Sequence, residues 1–363
     1  MTTQWRQAKD MAVINRPDGA EPQPPSMADL RARIRAWRDE WDGRAKGRRR
    51  GFIEFGKWTA ILVPIAVLLL TVQIVVCPYC SKLPAIPIFL IVLEIVVLAV
   101  ALLILLRDLG PHSRRWAADR LRTEALRREE FLLLMRVGPY LTESDLPGLA
   151  ATVDLRLAHI TKEKTDPVTA IQLQEADQSR WCVALEDTPA DRIAPLDSTA
   201  IPDYLQGRAH HQSDWYANNS RIEAAKDRKY DRFARFVLIG ALLVALLHLI
   251  ALIATGAKEH SIGQLILGIV AVGLPPVGGA AVALQSFFQA RRLSRSYEYH
   301  AQALTALVSA LNRLLEVQPE LSTQERQRIQ HNARRLVLQI EELLAYELIQ
   351  WYSVVRPDRP PIQ

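Results

Sequence analysis

The sequence predicts an all-α membrane protein: four transmembrane helices arranged as two hairpins, with a cytoplasmic helical bundle. Three observations carry that prediction. Four apolar blocks of about 20 residues interrupt an otherwise charged chain of 363 residues. Twenty Lys and Arg residues crowd the outer flanks of the two hairpins, whereas the two hairpin loops hold only Lys82 and Lys258. Between the blocks, apolar residues recur at helical steps of three and four.

Composition narrows the class. Apolar residues make up 49% of the chain, mostly within the four blocks, and the formal charge is +6. The basic residues flank the blocks, which fits anionic lipid and topology better than a nucleic-acid groove, so no nucleic-acid partner is expected. Nine Lys against 36 Arg suit a GC-rich, bacterial genome. Three cysteines exclude a disulfide scaffold. The first apolar block follows a long polar, basic segment, so it reads as a retained signal anchor rather than a cleaved signal peptide.

Taken in order, residues 1–25 contain RPDGAEPQPP and read as a disordered tail. Ser26 can cap a helix whose first turn holds Asp29. Leu30, Ile34, Trp37 and Trp41 then form one stripe, which lies on the membrane surface or packs on the bundle. Asp39, Glu40 and Asp42 dilute its positive charge and favour packing. The first span runs from Trp58 to Val76 and the second from Ile86 to Leu106, and the loop between them permits only a hairpin. A charged helix follows from Ser113 to Arg136, with Ala117, Leu121 and Ala125 on one face and then Phe131–Leu134. These elements make residues 26–136 the first hairpin unit. Residues 137–203 form a cytoplasmic insert, helical or mixed, in which prolines separate runs such as WCVAL.

Residues 204–355 form the second unit, and 356–363 a tail. Its entry helix, from about Pro202 to Arg235, places Tyr204, Arg208, Gln212, Trp215, Tyr216 and Asn219 on one side. The third span is Phe236 to Ala254 and the fourth about Ile262 to Leu284. Beyond it, Tyr297, Ala301, Leu304, Val308, Leu311 and Leu315 make a heptad-like seam. Ser322 and Glu325 have capping-box spacing, and Ile329, Ala333, Leu336, Ile340 and Leu343 continue the last helix up to Pro357. The layout repeats, at about 44–136 and about 204–316: basic flank, span, short outer loop, span, basic amphipathic helix.

Few residues suggest chemistry. Glu94 sits mid-span, where a carboxylate must be protonated, paired or wet. It either lines a pore in an oligomer or bonds a neighbouring helix, with His248 and Gln73 as candidate partners. Pro275 and Pro276, followed by Gly278 and Gly279, mark the fourth span as a gate hinge or a static kink. Cys77 and Cys80 have redox-motif spacing but fall on an outward loop, where an outer-face disulfide or two unlinked thiols fits better. Cys182 reads as a buried, reduced thiol. His210 and His211 point to different helix faces and make a poor chelate. No Walker, GxSxG or HExxH motif occurs, so no enzyme, cofactor or metal site is expected.

YLQGRAHHQSDWY before the second hairpin, LQSFFQARRLSRSYEYHAQAL after it and EELLAYELIQWY near the end resemble the SLATT domains, the SMODS and SLOG-associating two-transmembrane effectors of bacterial conflict systems. WAADRLRTEALRREEF after the first hairpin resembles the same part of a second SLATT variant, so the layout is similar to tandem SLATT proteins over most of residues 50–355. Asp119 departs from the pattern, which has Glu there, and residues 137–203 have no counterpart. The resemblance implies a pore-forming or membrane-perturbing defence effector; the Lys and Arg asymmetry places the chain as a multi-pass protein of the bacterial inner membrane with both termini cytoplasmic, and its helical seams suit a homo-oligomer. The resemblance also implies a SLOG- or SMODS-type nucleotide-sensing partner encoded nearby. Two alternatives stand beside it: a non-permeating membrane scaffold, and a membrane thiol oxidoreductase using Cys77 and Cys80.

Overall fold

The computed structural model describes residues 25–76, 85–104, 110–143, 145–161, 180–189, 192–255, 262–316 and 322–355. Among these there is no strand. Cys77, Cys80, Lys82 and Lys258 lie outside the described residues, as do the expected tails at 1–24 and 356–363.

Helix α1 (Met27–Val76) joins the tryptophan-striped helix and the first span into one rod of 50 residues. A reciprocal cap starts it: the Ser26 backbone N–H donates to Asp29 Oδ2 at 2.9 Å, and the Asp29 N–H donates to Ser26 Oγ at 3.2 Å. Helix α2 (Ala85–Leu103) returns against it. Helix α3 (Gly110–Leu134) then packs along the polar half of α1. The insert is helical where described: a 3-10 turn (Gly138–Tyr140), α4 (Leu146–Thr161), α5 (residues 180–187) and α6 (Ala200–Tyr204). A π-helical turn (Leu205–His210) carries α6 without a break into α7 (His211–Thr255), the second long rod. Helix α8 (Ile262–Phe288) returns against α7 and also packs on α1, so the two hairpins touch. Helices α9 (Ala290–Leu315) and α10 (Thr323–Val355) complete the bundle.

Three stretches are long and apolar enough to cross a membrane, within α1, α7 and α8, and in each fewer than a fifth of the residues of the most apolar window are buried. A core helix of a water-soluble protein would bury such a stretch. Here Phe236, Leu242 and Ile253 are each at least 70% exposed. Outward-facing apolar belts of this extent mark the chain as a membrane protein. The second expected span is represented by a shorter apolar helix, Ile88–Leu103.

Close approach uses glycine both between and within the hairpins. A Cβ on Gly56 of α1 would clash with the ring of Phe287 near the end of α8, and one on Gly278 of α8 would lie 3.2 Å from Leu238 of α7. Helix α8 continues through Pro275 and Pro276. The backbone break falls instead at Gln289, between α8 and α9, whose φ of 48° is left-handed. For a residue with a Cβ this costs about 1–2 kcal/mol.

In the bundle, Leu30, Ile34 and Trp41 of α1 are buried with Leu126, Leu132 and Leu133 of α3, which places the tryptophan stripe in the core rather than on a lipid surface. The insert contributes Leu149, Val153, Leu157 and Leu185 to the same core. Arg334 of α10 fastens it, donating to the carbonyls of Met135 (3.3 Å) and Ala194. The seam of α9 is buried from Tyr297 to Leu311, while Leu315 is exposed. On α10 the buried line is wider than the expected one: Ala333 and Ile340 are buried as expected, Val337, Leu338, Glu341 and Leu344 are buried beside them, and Leu336 and Leu343 are half-buried. The stripe there includes charged residues that an apolar reading assigns to solvent.

Candidate functional site

Helix α3 carries charge on every side and yet sits in the middle of the bundle. Asp119, Glu129 and Glu130 are each no more than 1% exposed. Burial of such groups requires partners, and each neighbouring helix sends one. Arg48 of α1 donates to Asp119 at 2.5 Å. Arg35 and Arg38 of α1 reach Glu130 at 2.5 and 2.8 Å. Arg156 of α4 donates to Glu129 at 2.9 Å through Nε, and the Tyr140 hydroxyl donates to the same carboxylate at 2.9 Å. Asp119 is therefore the buried anchor of Arg48.

The second polar layer holds the residues singled out before the second hairpin. Tyr204, Arg208, Gln212 and Tyr216 are buried on one face, with Trp215 half-buried beside them. The π-helical turn spans Arg208, and such turns recur at functional sites. Arg208 donates to Glu341 of α10 through two parallel bonds, both 3.0 Å, and Tyr204 Oη donates to the same carboxylate at 3.0 Å. Arg208 Nη1 lies 3.6 Å from Glu124 of α3. Tyr216 Oη donates to Glu347 at 3.0 Å. Asn219 turns back to the Trp215 carbonyl at 2.8 Å. Glu341 and Glu347 lie in the EELLAYELIQWY string. Glutamates spaced by six among aromatics are the signal that could have paired this string with the Tyr/Arg face.

Between these layers lies a cavity of about 280 Å³, walled by α1, α3, α7, α10 and the π-helical turn. Six Lys and Arg side chains line it against four carboxylates, with Trp116, Trp215 and Tyr216 as aromatic wall. His211 lines it too, whereas His210 faces Asn312 of α9 at 3.5 Å. The cavity's upper wall continues as an aromatic chain. Arg120 sits over Trp351 at 4.7 Å, Trp351 meets Trp116 at 5.1 Å, Trp116 stacks on Phe52 at 5.3 Å and Phe52 on Phe287 at 4.9 Å. This chain joins α3, α10, α1 and the end of α8.

Charge in the cavity wall is held in place electrostatically. Burial alone would lower the pKa of Arg208, but the charge and hydrogen bond of Glu341, with Glu124 and Tyr204, together outweigh it and the guanidinium is held more firmly protonated than usual. Burial pushes Glu124 up, and Arg127, Arg208 and Arg120 together bring it below the ordinary value. Glu347 is raised, chiefly by burial. Burial also raises Tyr140, Tyr204, Tyr216 and Tyr297, the last to about 12, aided by carboxylates such as Glu129, Glu341 and Glu347.

A phenol in the unfolded chain titrates near pH 10. Above that pH the folded state binds more protons than the unfolded one, so stability is complete below pH 10 and falls above it. For Tyr297 the loss runs from pH 10 to about 12, at up to ~1.4 kcal/mol per pH unit. Tyr297→Phe is expected to shallow the decline of stability between pH 10 and 12, read by denaturation of the detergent-solubilised chain. An unchanged slope would contradict the assignment.

The mid-membrane candidates separate into two places. Gln73 of α1, oriented to satisfy both amide atoms, donates to Glu94 Oε2 at 3.3 Å and accepts from the Ile91 N–H at 2.8 Å. His248 is not at Glu94. Its ring lies against Gly268 of α8, with Nδ1 buried and making no hydrogen bond among the described residues. Gly278 faces α7, and a Cβ on Gly279 would meet nothing within 4 Å. Cys182 is a free, half-buried thiol on α5, its pKa raised first by burial. No cluster of metal-ligating side chains occurs among the described residues. No protein-family model, curated protein or solved structure matches the chain.

Proposed function

We propose that this chain is a non-enzymatic membrane effector of a bacterial defence system. Its four spans form two hairpins in the inner membrane, with both termini and the polar bundle in the cytoplasm. The observation that carries the reading is mechanical. Helices α1 and α7 run unbroken from apolar belts into the buried ion-pair network, over 50 and 45 residues. A change of packing around Arg208 and Glu341 therefore turns or shifts the same rods that contact lipid. The aromatic chain from Arg120 to Phe287 gives α8 a second link to that network. Glu94, held against Gln73 at rest, would meet water or another subunit when the hairpin moves.

The resemblance to SLATT proteins supplies the biological setting, in which a SLOG- or SMODS-type nucleotide sensor raises the alarm and copies of the chain associate. The test is induced expression in bacteria with a potential-sensitive dye, using a fused chemically inducible dimeriser to bring copies together. The expected result is depolarisation on dimeriser addition. An unchanged potential with the protein present in the membrane fraction would overturn the effector reading in favour of a non-permeating role.

A further inference from the structure

The cavity in the bundle contains donors that the fold leaves unused. Its four carboxylates are each engaged. Asp42 pairs with Lys46 at 2.6 Å, Glu124 with Arg127 at 2.6 Å, Glu341 with Arg208, and Glu347 accepts from Tyr216. Arg120 is different. It is half-buried in the wall, and among the described residues it makes no hydrogen bond or ion pair. Its neighbours are the faces of Trp351 and Trp215, with Glu347 and Glu124 acting on it through space. Guanidinium offers five N–H donors, and Nε is buried and unsatisfied. Gln212, 8% exposed and also in the wall, makes no hydrogen bond among the described residues either. A buried N–H donor without a partner, such as Arg120 Nε, costs about 1–3 kcal/mol, so natural proteins retain few. Arg49 stands in the same lining, exposed and without a carboxylate partner.

The geometry points to a ligand site for a small organic anion in this cavity, its phosphate or carboxylate head on Arg120 and Gln212 and its body against Trp215 and Trp116. The lining carries two more positive than negative side chains, which favours an anion over a neutral or cationic guest. The volume, about 280 Å³, is several times the ~30 Å³ share of one water and close to the lower end of small-molecule sites. A bare inorganic anion would leave the aromatic walls uncovered. The head can come from a soluble metabolite or from a lipid headgroup entering past Arg49. Because α1, α3, α7 and α10 all contribute to the wall, a guest there tightens or loosens both membrane rods at once. That regulatory role rests on the effector reading above, whereas binding itself does not.

The experiment uses the full chain in nanodiscs of neutral lipid, with phenyl phosphate as probe and benzyl alcohol as its uncharged counterpart, read by calorimetry. Saturable binding of phenyl phosphate alone is expected. Gln212→Leu removes only unused polar atoms, so the variant should fold normally and bind about tenfold more weakly, as expected for one lost charge-assisted hydrogen bond. Arg120→Gln should weaken binding further. Repeating the titration in discs containing anionic phospholipid distinguishes the source. A raised apparent Kd assigns the site to a lipid headgroup, and an unchanged one to a soluble anion. No saturable binding, or binding undiminished in both variants, would overturn the site. Membrane potential with and without the probe is read separately, so a silent membrane with intact binding removes the effector reading and keeps the site.

Discussion

Replacing Arg208 by Met is expected to destabilise the polar helical bundle by about 3–5 kcal/mol, because it strands the Glu341 carboxylate in the core. Glu341 is fully buried and accepts two guanidinium bonds from Arg208, with the Tyr204 hydroxyl as a further donor. The loss is comparable to the entire stability of many domains. It should appear as a lowered denaturation midpoint of the helical signal in detergent. Removing the whole triad at once, with Arg208→Met, Glu341→Leu and Tyr204→Phe, should recover part of the loss, since the stranded carboxylate is then gone and Glu129 still acts on Arg128. If the single variant matches the wild type, the pair does not sit in the low-dielectric interior seen here.

A second large effect separates lipid from water as the solvent around α7. Leu246 lies near the middle of its apolar belt and Leu155 lies on α4 of the bundle, and they are 51% and 71% exposed respectively. On exposure alone both should accept arginine. With lipid around α7, Leu246→Arg costs about 2.5–3.5 kcal/mol of insertion, whereas Leu155→Arg stays within about 0.5 kcal/mol. The fraction recovered in folded form from membranes should therefore fall for Leu246→Arg only. Equal tolerance of the two substitutions would place the belt in water.

The helices themselves were legible because burial and exposure follow simple periodicity where the partner is apolar. The stripe Leu30, Ile34, Trp41, the Ser26 and Ser322 caps, and the α9 seam as far as Leu311 all lie where spacing puts them. The centre of the bundle was less legible. Helix α3 buries the face of Ala117, Leu121 and Ala125 that spacing predicts, but spacing leaves its charged sides to solvent, and its carboxylates are buried because arginines on α1 and α4 neutralise them across 27 to 95 residues of sequence. The same blindness narrowed the expected α10 stripe: Arg334, Glu341 and Glu347 are core residues, and no hydrophobic count places them there. At the candidate site, the Tyr204–Tyr216 face was visible as a helical row. Its partners Glu124, Glu341 and Glu347 were not, since pairing between distant helices leaves no local periodicity. In the membrane, Gln73 and not His248 meets Glu94, a choice fixed by which helices share a hairpin.

The placement of the bundle relative to the membrane is tested most directly by labelling single cysteines in intact cells. Cys77, Cys80 and Cys182 are first replaced by Ser, and then either Lys258→Cys in the second hairpin loop or Glu325→Cys at the start of α10 is introduced. An impermeant maleimide should modify the cysteine at 258 in intact cells and the one at 325 only after lysis, with both proteins retained in the membrane pellet. Labelling at 325 in intact cells, protection at 258, or recovery of the chain in the soluble fraction would contradict the account.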